Sequence, residues 1–297
     1  MEYRIKHTTR YNYTEPVTLC HNRAILMPRD DQSQQRHDFT LKVEPEPSLM
    51  ESYQDVFGNM VHYFEIHEPH TELVITASGH LTRTPLQLPM RMEDSVPWES
   101  VRTQFEGADY GEEMAEVAMY RLPSPMIPVV PALAQLTDPI FTPGRPLLEA
   151  VLTFTKAIYT DFKYDPEATN IATPILEVLE QRAGVCQDFA HIAVGALRQL
   201  GLAARYVSGY LETQPPPGQE RMEGADASHA WFSIYLPGVG WVDFDPTNGC
   251  MPESHHLVVA VGRDYADVPP VKGVVMGGWE HSLDVAVDVL RQQDKDV

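Results

Sequence analysis

Residues 184–191 read GVCQDFAH, and this stretch decides how the second half of the chain folds. A glycine-bearing turn enters Cys186, and apolar residues then recur at helical spacing up to Gly201. The pattern predicts a helix that begins at Cys186 and ends before that glycine. At a helix start, backbone N–H groups and the helix dipole favour a thiolate. The backbone N–H of Cys186 is therefore also the first candidate donor to an oxyanion on an attacked carbonyl.

Two strands are predicted downstream, at residues 229–234 and 240–245, joined by a loop at 235–239. In this register His229 lies directly opposite Asp245. Directly opposed side chains are roughly 5 Å apart at Cβ, close enough for a carboxylate to orient an imidazole. The hairpin therefore predicts a base together with the acid that orients it.

Cys186, His229 and Asp245 together predict a Cys-His-Asp catalytic triad. Each residue also has an ordinary interpretation. A single cysteine is more often a small buried hydrophobe, and an aspartate at a strand end commonly begins a turn. The combination of a helix-start cysteine with a strand histidine and a strand aspartate is much more specific than any of the three alone.

The first 85 residues alternate polar and apolar side chains in short runs separated by turns, which predicts an antiparallel β-sandwich. Residues 86–145 are rich in Pro, Met and Glu and predict a connecting segment with some helix. Residues 146–297 form the predicted catalytic core, with strands at its C-terminal end. The β domain has no catalytic cluster, so a scaffold or a docking site for a partner protein is expected there.

The chain has 22 basic and 42 acidic residues, a formal net charge of −20. This balance argues against nucleic-acid binding and against docking on an anionic membrane. Three cysteines in 297 residues do not make a disulfide framework. The N-terminus lacks a signal-peptide pattern and no run is long enough for a membrane span, so we expect a cytoplasmic, reduced protein.

Several motifs carry a family resemblance. They are residues 184–191 (GVCQDFAH), 204–210 (ARYVSGY), 227–231 (ASHAW), 240–248 (GWVDFDPTN) and the tail at 261–268 (VGRDYADV). Together they resemble the bacterial transglutaminase-like superfamily, which is also described as a cysteine protease family. The first 85 residues resemble the β-rich domain that precedes this core, notably at residues 55–59 (DVFGN) and 68–70 (EPH).

The resemblance implies an α+β core of papain-like fold, with the cysteine helix packed on an antiparallel sheet. It implies that Cys186 is the nucleophile, His229 the general base and acid, and Asp245 the orienting carboxylate. The implied chemistry is acyl transfer through a thioester, with no cofactor and no metal. We further expect Tyr164 to supply a second oxyanion donor, and Trp231 and Trp241 to wall the substrate cleft.

The favoured function is hydrolysis of a peptide or protein amide by a cysteine peptidase or amidase. Two alternatives stay open: a crosslinker that passes the acyl group to an amine, and a non-catalytic binding module on the same fold. A metal site at His255 and His256 is disfavoured, because adjacent residues of a strand point to opposite sides. Arg263, Asp264 and Tyr265 are expected to fix the tail to the core. His191 is a poor candidate base, since it lies on another face of the helix from Cys186.

Overall fold

The computed structural model describes residues 1–106, 112–213 and 227–292. The strands are β1 (Glu2–Ala24), β2 (Gln34–Glu44), β3 (Leu49–Gln54), β4 (Met60–Ile66), β5 (His70–Arg83), β6 (Lys163–Tyr164), β7 (Ala183–Gly184), β8 (Ala204–Leu211), β9 (Ala227–Leu236), β10 (Gly240–Phe244), β11 (His256–Gly262), β12 (Val271–Gly277) and β13 (His281–Arg291). The α-helices are α1 (Trp98–Gln104), α2 (Glu112–Ala118), α3 (Ala134–Thr137), α4 (Leu147–Asp161), α5 (Ile175–Gln181) and α6 (Cys186–Gln199).

The first sheet is antiparallel and is organised around the long strand β1. One half of β1 pairs with β5 and β13, and the other half pairs with β4 and β12. Apolar side chains of β1 and β4 pack with those of β2 and β5, so the curled sheet encloses its own core. The two C-terminal strands therefore belong to the first sheet by hydrogen bonding, although the sequence analysis placed them with the catalytic core. The domain boundaries themselves stay a prediction.

The second sheet has the strand order β10-β9-β8-β11, and all its neighbours are antiparallel. Helix α6 packs against β8 and β9 and is buried almost throughout, from Phe189 to Leu197. Helices α3, α4 and α5 pack against α6 and bury their own apolar stripes in the same core. Each large apolar side chain buried there stabilises the fold by about 1.5–3 kcal/mol.

The β9–β10 hairpin differs from its predicted register by two residues. Val242 pairs with Ile234 and Phe244 with Phe232, and the loop shortens to residues 237–239. The turn closes with a hydrogen bond from the Val239 N–H to the Leu236 carbonyl. A three-residue hairpin loop of this kind uses positive φ values, which here occur at Gly238 and Gly240. A shift of two residues keeps every side chain on its predicted face of the sheet.

The α+β fold class is confirmed, with the cysteine helix on an antiparallel sheet. Helix α6 begins at Cys186, as the GVCQDFAH pattern predicts, and ends at Gln199. Within the described residues, no helix is both long and apolar enough to cross a bilayer.

Candidate active site

The turn before α6 fixes where Cys186 lies. Strand β7 pairs with β6 and leads directly to Val185, the residue before the helix. The Asp188 carboxylate accepts the Val185 N–H at 2.9 Å and the Thr169 hydroxyl at 2.6 Å. A Cβ at Gly184 would lie 2.6 Å from the same carboxylate, so the turn needs glycine there. Asp188 is thus a capping residue that orders the helix start, as acids at this position commonly do.

His229 lies between Cys186 and Asp245. Its Nε2 atom is 2.8 Å from Oδ2 of Asp245, and its ring lines the same cleft as the Cys186 side chain. Because Nε2 faces the carboxylate, Nδ1 is the nitrogen left for the thiol. The structure therefore brings the three predicted residues together. In the observed register, Asp245 lies two positions from the residue directly opposite His229. It therefore reaches His229 diagonally across the hairpin.

The Asp245 carboxylate is completely buried and fully hydrogen-bonded. Oδ2 accepts from His229, from His256 Nε2 at 2.9 Å and from Asn248 Nδ2 at 2.7 Å. Oδ1 accepts the backbone N–H groups of Thr247 and Asn248. Burial alone would raise the pKa of Asp245, but the hydrogen bonds from the two histidines outweigh it and hold the pKa well below its usual range. The carboxylate therefore stays ionised.

The charged form of His229 is stabilised by its neighbours. Burial lowers the pKa of a histidine, but the interactions with Asp245 and with the nearby Cys186 outweigh burial here and raise the pKa of His229 to about 10. The imidazolium form of His229 is the state that these neighbours favour. Burial raises the pKa of each of the other two thiols, Cys20 and Cys250, to about 11.

A cleft of about 490 Å³ opens beside Cys186 and His229. One side is formed by the start of α6 and by strands β8 and β9. The other side is a face of the first sheet, with residues from β1, β12 and β13. The first-sheet residues that line the cleft are His7, Thr9, Tyr11, Val271, Leu283, Val285 and Val287. The N-terminal sheet and the C-terminal strand thus supply one wall of the candidate active site.

Family comparisons agree with this geometry. The family model for the bacterial transglutaminase-like N-terminal region matches residues 3–82, and that for the transglutaminase-like superfamily matches residues 134–246. An uncharacterized protein of Mycobacterium tuberculosis is 40% identical over 295 residues, which is 97% of this chain and 92% of that protein. This chain belongs to the transglutaminase-like superfamily.

Other relatives of the transglutaminase-like chain extend the comparison. An uncharacterized protein of Mycobacterium leprae is 33% identical over 293 residues, covering 97% of this chain and 98% of its own. A protein-glutamine gamma-glutamyltransferase of Pseudomonas aeruginosa is 29% identical over 105 residues, 33% of this chain and 16% of that enzyme. A solved structure from Cytophaga hutchinsonii, described as a "Putative Cysteine Protease", superposes with a TM-score of 0.75 at 22% identity, covering 100% of this chain and 92% of that one. This last similarity shows a shared fold.

His256 is a partner of Asp245 in the transglutaminase-like site, and the sequence did not predict this contact. The sequence offered the His255-His256 pair only as a candidate metal site. Strand β11 carries His256 to the buried carboxylate, eleven residues along the chain from Asp245. Burial lowers the pKa of His256 despite its bond to Asp245, so this ring is neutral and donates through Nε2. Asn248 lay within the quoted 240–248 motif, but nothing in the pattern gave its role.

A metal could be held at this site only by drawing the side chains of His229, Asp245 and His256 apart. The Nε2 atoms of His229 and His256 and Oδ2 of Asp245 all lie within 4.8 Å of one another. Both nitrogens are 2.8–2.9 Å from the one oxygen, which is hydrogen-bond spacing. Ligands about 2.0–2.1 Å from a tetrahedral zinc ion would be further from each other than that. The observed spacing fits a hydrogen-bonded network better than a metal centre.

Two tryptophans were expected to wall the cleft, and the structure corrects this expectation. Trp231 has no exposed surface and packs with Val207, Val258 and Val261. Trp241 packs against Tyr120 and Tyr235 and lines a different cavity. Phe57, from the turn between β3 and β4, also packs against the cluster around Trp231, and neither tryptophan lines the cleft beside Cys186.

Tyr164 lies near Cys186 without forming part of the cleft wall. It pairs with Gly184 across β6 and β7 and is 54% exposed. Burial, together with the charge of the Cys186 thiolate, raises the pKa of its hydroxyl. Its role as an oxyanion donor stays a prediction.

The tail is fixed to the core by Asp264 and Tyr265. The Tyr265 N–H donates to His191 Nε2 at 3.2 Å, and Asp264 accepts the Met126 N–H at 2.8 Å. Arg263 forms an ion pair with Asp267. Burial lowers the pKa of His191 to about 4, so it is a neutral structural acceptor. Tyr265 also lines the cleft beside Cys186, which the sequence analysis did not anticipate.

Proposed function

We propose that the chain is a cysteine-dependent enzyme that cleaves an amide bond through a thioester, with hydrolysis of a peptide or protein amide as its net reaction. The observation that carries the proposal is the position of His229, which is hydrogen-bonded to the buried carboxylate of Asp245 and lines the same cleft as Cys186. A non-catalytic binding module would not need a buried carboxylate that holds two histidines, so this feature favours an enzyme.

In the proposed reaction, Sγ of Cys186 attacks the carbonyl carbon of the amide as a thiolate. The carbonyl oxygen becomes an oxyanion, which the N–H groups at the start of α6 stabilise. Collapse of this intermediate breaks the C–N bond, and His229 gives its proton to the leaving amine. The thioester remains on Cys186. Water then attacks the thioester while His229 removes a proton, and the acid and the thiolate are released.

The role proposed for Asp245 is to keep His229 in one orientation and to stabilise its charged form. The five hydrogen-bond donors around the carboxylate restrict the Asp245 side chain to one rotamer and keep it ionised. No proton needs to pass to Asp245 during the cycle.

The walls of the cleft support a polypeptide substrate. Leu283 and Val285 are about half exposed and lie on the first-sheet wall, close to the position where an acyl group would bind. Apolar side chains next to a reactive thiol suit an acyl donor with apolar neighbours more than a small polar amide. A cytoplasmic location and a partner protein on the β domain also remain parts of the proposal.

Transfer to an amine is the second candidate, and the match to part of the Pseudomonas aeruginosa gamma-glutamyltransferase favours it. The experiment is to incubate the purified chain with a peptide library, with and without a fluorescent primary amine. The hydrolase proposal predicts cleaved or deamidated peptides in both samples. A crosslinker would attach the amine to peptides. Cys186→Ala is the control, and product formation by this variant would contradict the proposal in both forms.

A further inference from the structure

A second cavity, of about 390 Å³, lies between the first sheet and strands β8 and β10. It shares no lining residue with the cleft beside Cys186. Its volume is within the usual range for small-molecule sites, about 300–1,000 Å³. Three arginines line it: Arg29, Arg83 and Arg205. A chain with a net charge of −20 and only 22 basic residues thus gathers three guanidinium groups in one cavity.

The three guanidinium groups are hydrogen-bonded to neutral atoms. Arg29 donates to the Phe57 carbonyl and the Asn59 side chain, and Arg83 and Arg205 donate to the hydroxyls of Ser33 and Ser233. Among the described residues, neither Arg29 nor Arg205 has a carboxylate within 4.0 Å. Arg83 has two carboxylates nearby, those of Asp31 at 3.8 Å and Asp243 at 3.9 Å, and both are beyond hydrogen-bond distance.

Arg83 has unused donor capacity in a buried position. Its side chain is 3% exposed, and its Nε atom has no hydrogen-bond partner among the described residues. A buried donor without a partner is unfavourable, and more so when the group is charged. Arg205 lies over the ring of Trp241 at 4.3 Å, and burial lowers the pKa of Arg205 to about 10. Both arginines therefore have a reason to accept a further negative partner.

The cavity also contains the carboxylates of Asp31, Asp243 and Glu116. Asp31 accepts from the N–H and hydroxyl of Ser33, and Asp243 accepts from the hydroxyl of Ser233. Glu116 is exposed at the side formed by α2. The two aspartates are thus held by serines, and they offset part of the arginine charge without filling the guanidinium donor positions.

We propose that this cavity is a binding site for a small organic anion, in which Arg83 and Arg205 bind the anionic group. The carboxylate or phosphate of such a ligand would fill the bidentate positions that guanidinium groups offer. Apolar side chains complete the wall, from Leu86, Val117, Trp241 and Met251. The ligand is therefore a carboxylate or phosphate ester that carries a compact apolar body. This site does not depend on the proposed function of Cys186.

Binding is tested on the full chain by titration calorimetry with benzoate, with phenyl phosphate and with the neutral analogue benzamide. We expect at least one of the two anions to bind about tenfold or more tightly than benzamide. Arg83→Gln and Arg205→Gln should each weaken its binding about tenfold or more. Arg91→Gln is the matched control, because Arg91 is 72% exposed and already paired with Asp94, and it should leave binding unchanged.

A second measurement keeps the test independent of whether the variants fold. The unmodified chain is treated with phenylglyoxal, an arginine reagent, with and without the tighter anion, and each arginine is read by mass spectrometry. Protection of Arg205, with Arg91 labelled equally in both samples, supports the site. The proposal is overturned if neither anion binds more tightly than benzamide, or if the anions leave the labelling of Arg205 unchanged.

Discussion

His256 donates from Nε2 to Oδ2 of Asp245 at 2.9 Å, the same oxygen that His229 approaches at 2.8 Å. One buried carboxylate oxygen therefore serves two imidazoles with different protonation states. Burial keeps His256 neutral, whereas the interactions with Asp245 and Cys186 keep His229 charged. His256 thus acts as a positioning residue for Asp245, and through it for His229.

Removal of the His256 donor should weaken the triad. His256→Leu deletes one of the donors that fix the carboxylate, so we expect the rate of Cys186 alkylation near pH 6 to fall about tenfold or more. His256→Gln keeps an N–H donor and should recover much of that loss. The alkylation rate at Cys186 is measured by mass spectrometry, with circular dichroism to verify folding. Equal rates in the two folded variants would show that the hydrogen bond to Asp245 has no positioning role.

The ring of His229 should titrate far above the ordinary histidine value. Its folded pKa is raised to about 10, so the imidazolium persists through neutral pH and is lost only as the pH rises towards 10. Enzymatic activity should therefore fall on the alkaline side near that value. Nitrogen-15 NMR of the ring measures the midpoint directly. Asp245→Asn should move it down towards the ordinary value, about 6.5. A midpoint near 6.5 in the unchanged chain is the contrary result.

Acid should destabilise the fold through His191. The unfolded histidine binds a proton near pH 6.5, whereas the folded one stays neutral down to about pH 4. Between these values the unfolded state binds more protons, so the free energy of unfolding falls as the pH falls. The loss between pH 7.5 and pH 5 amounts to about 2 kcal/mol for this one histidine.

Urea unfolding at those two pH values checks the contribution of His191. His191→Gln can still accept the Tyr265 N–H but cannot titrate, so it should lose about 2 kcal/mol less than the unchanged chain on acidification. His37→Gln on the exposed surface is the matched control and should lose as much as the unchanged chain. Identical losses in the His191 variant and the unchanged chain would contradict the account.

Local patterns predicted the parts of the site that depend on neighbours in sequence. The start of α6 at Cys186 follows from a glycine-bearing turn and an apolar stripe that are close together in sequence. The pairing of His229 with Asp245 follows from one hairpin, and it holds although the predicted register was wrong by two residues. A register shift of two residues keeps each side chain on the same face of the sheet, and a diagonal pair still lies within side-chain reach.

The rest of the site depends on contacts between distant parts of the chain. His256 begins β11, which pairs with β8 and not with β10, yet its side chain contacts Asp245 just beyond the end of β10. The cleft wall depends on β13 pairing with β1, across about 280 residues. Alternating Leu and Val in residues 283–289 predicted a strand but could not name its partner, since any antiparallel edge satisfies that pattern. Trp231 likewise packs with Val258 and Val261 of β11, a contact that its own hairpin does not reveal.

Alkylation of the three cysteines tests the central claim most directly. The unchanged chain and His229→Gln are treated with iodoacetamide between pH 4 and pH 9, and each thiol is read by mass spectrometry. The account predicts that Cys186 reacts about a hundredfold or more faster than Cys20 and Cys250 near pH 6, because the pKa of each of those two is raised to about 11, and that His229→Gln removes this advantage. A folded chain in which Cys186 reacts no faster than Cys250 would contradict the thiolate–imidazolium pair and favour a non-catalytic binding module.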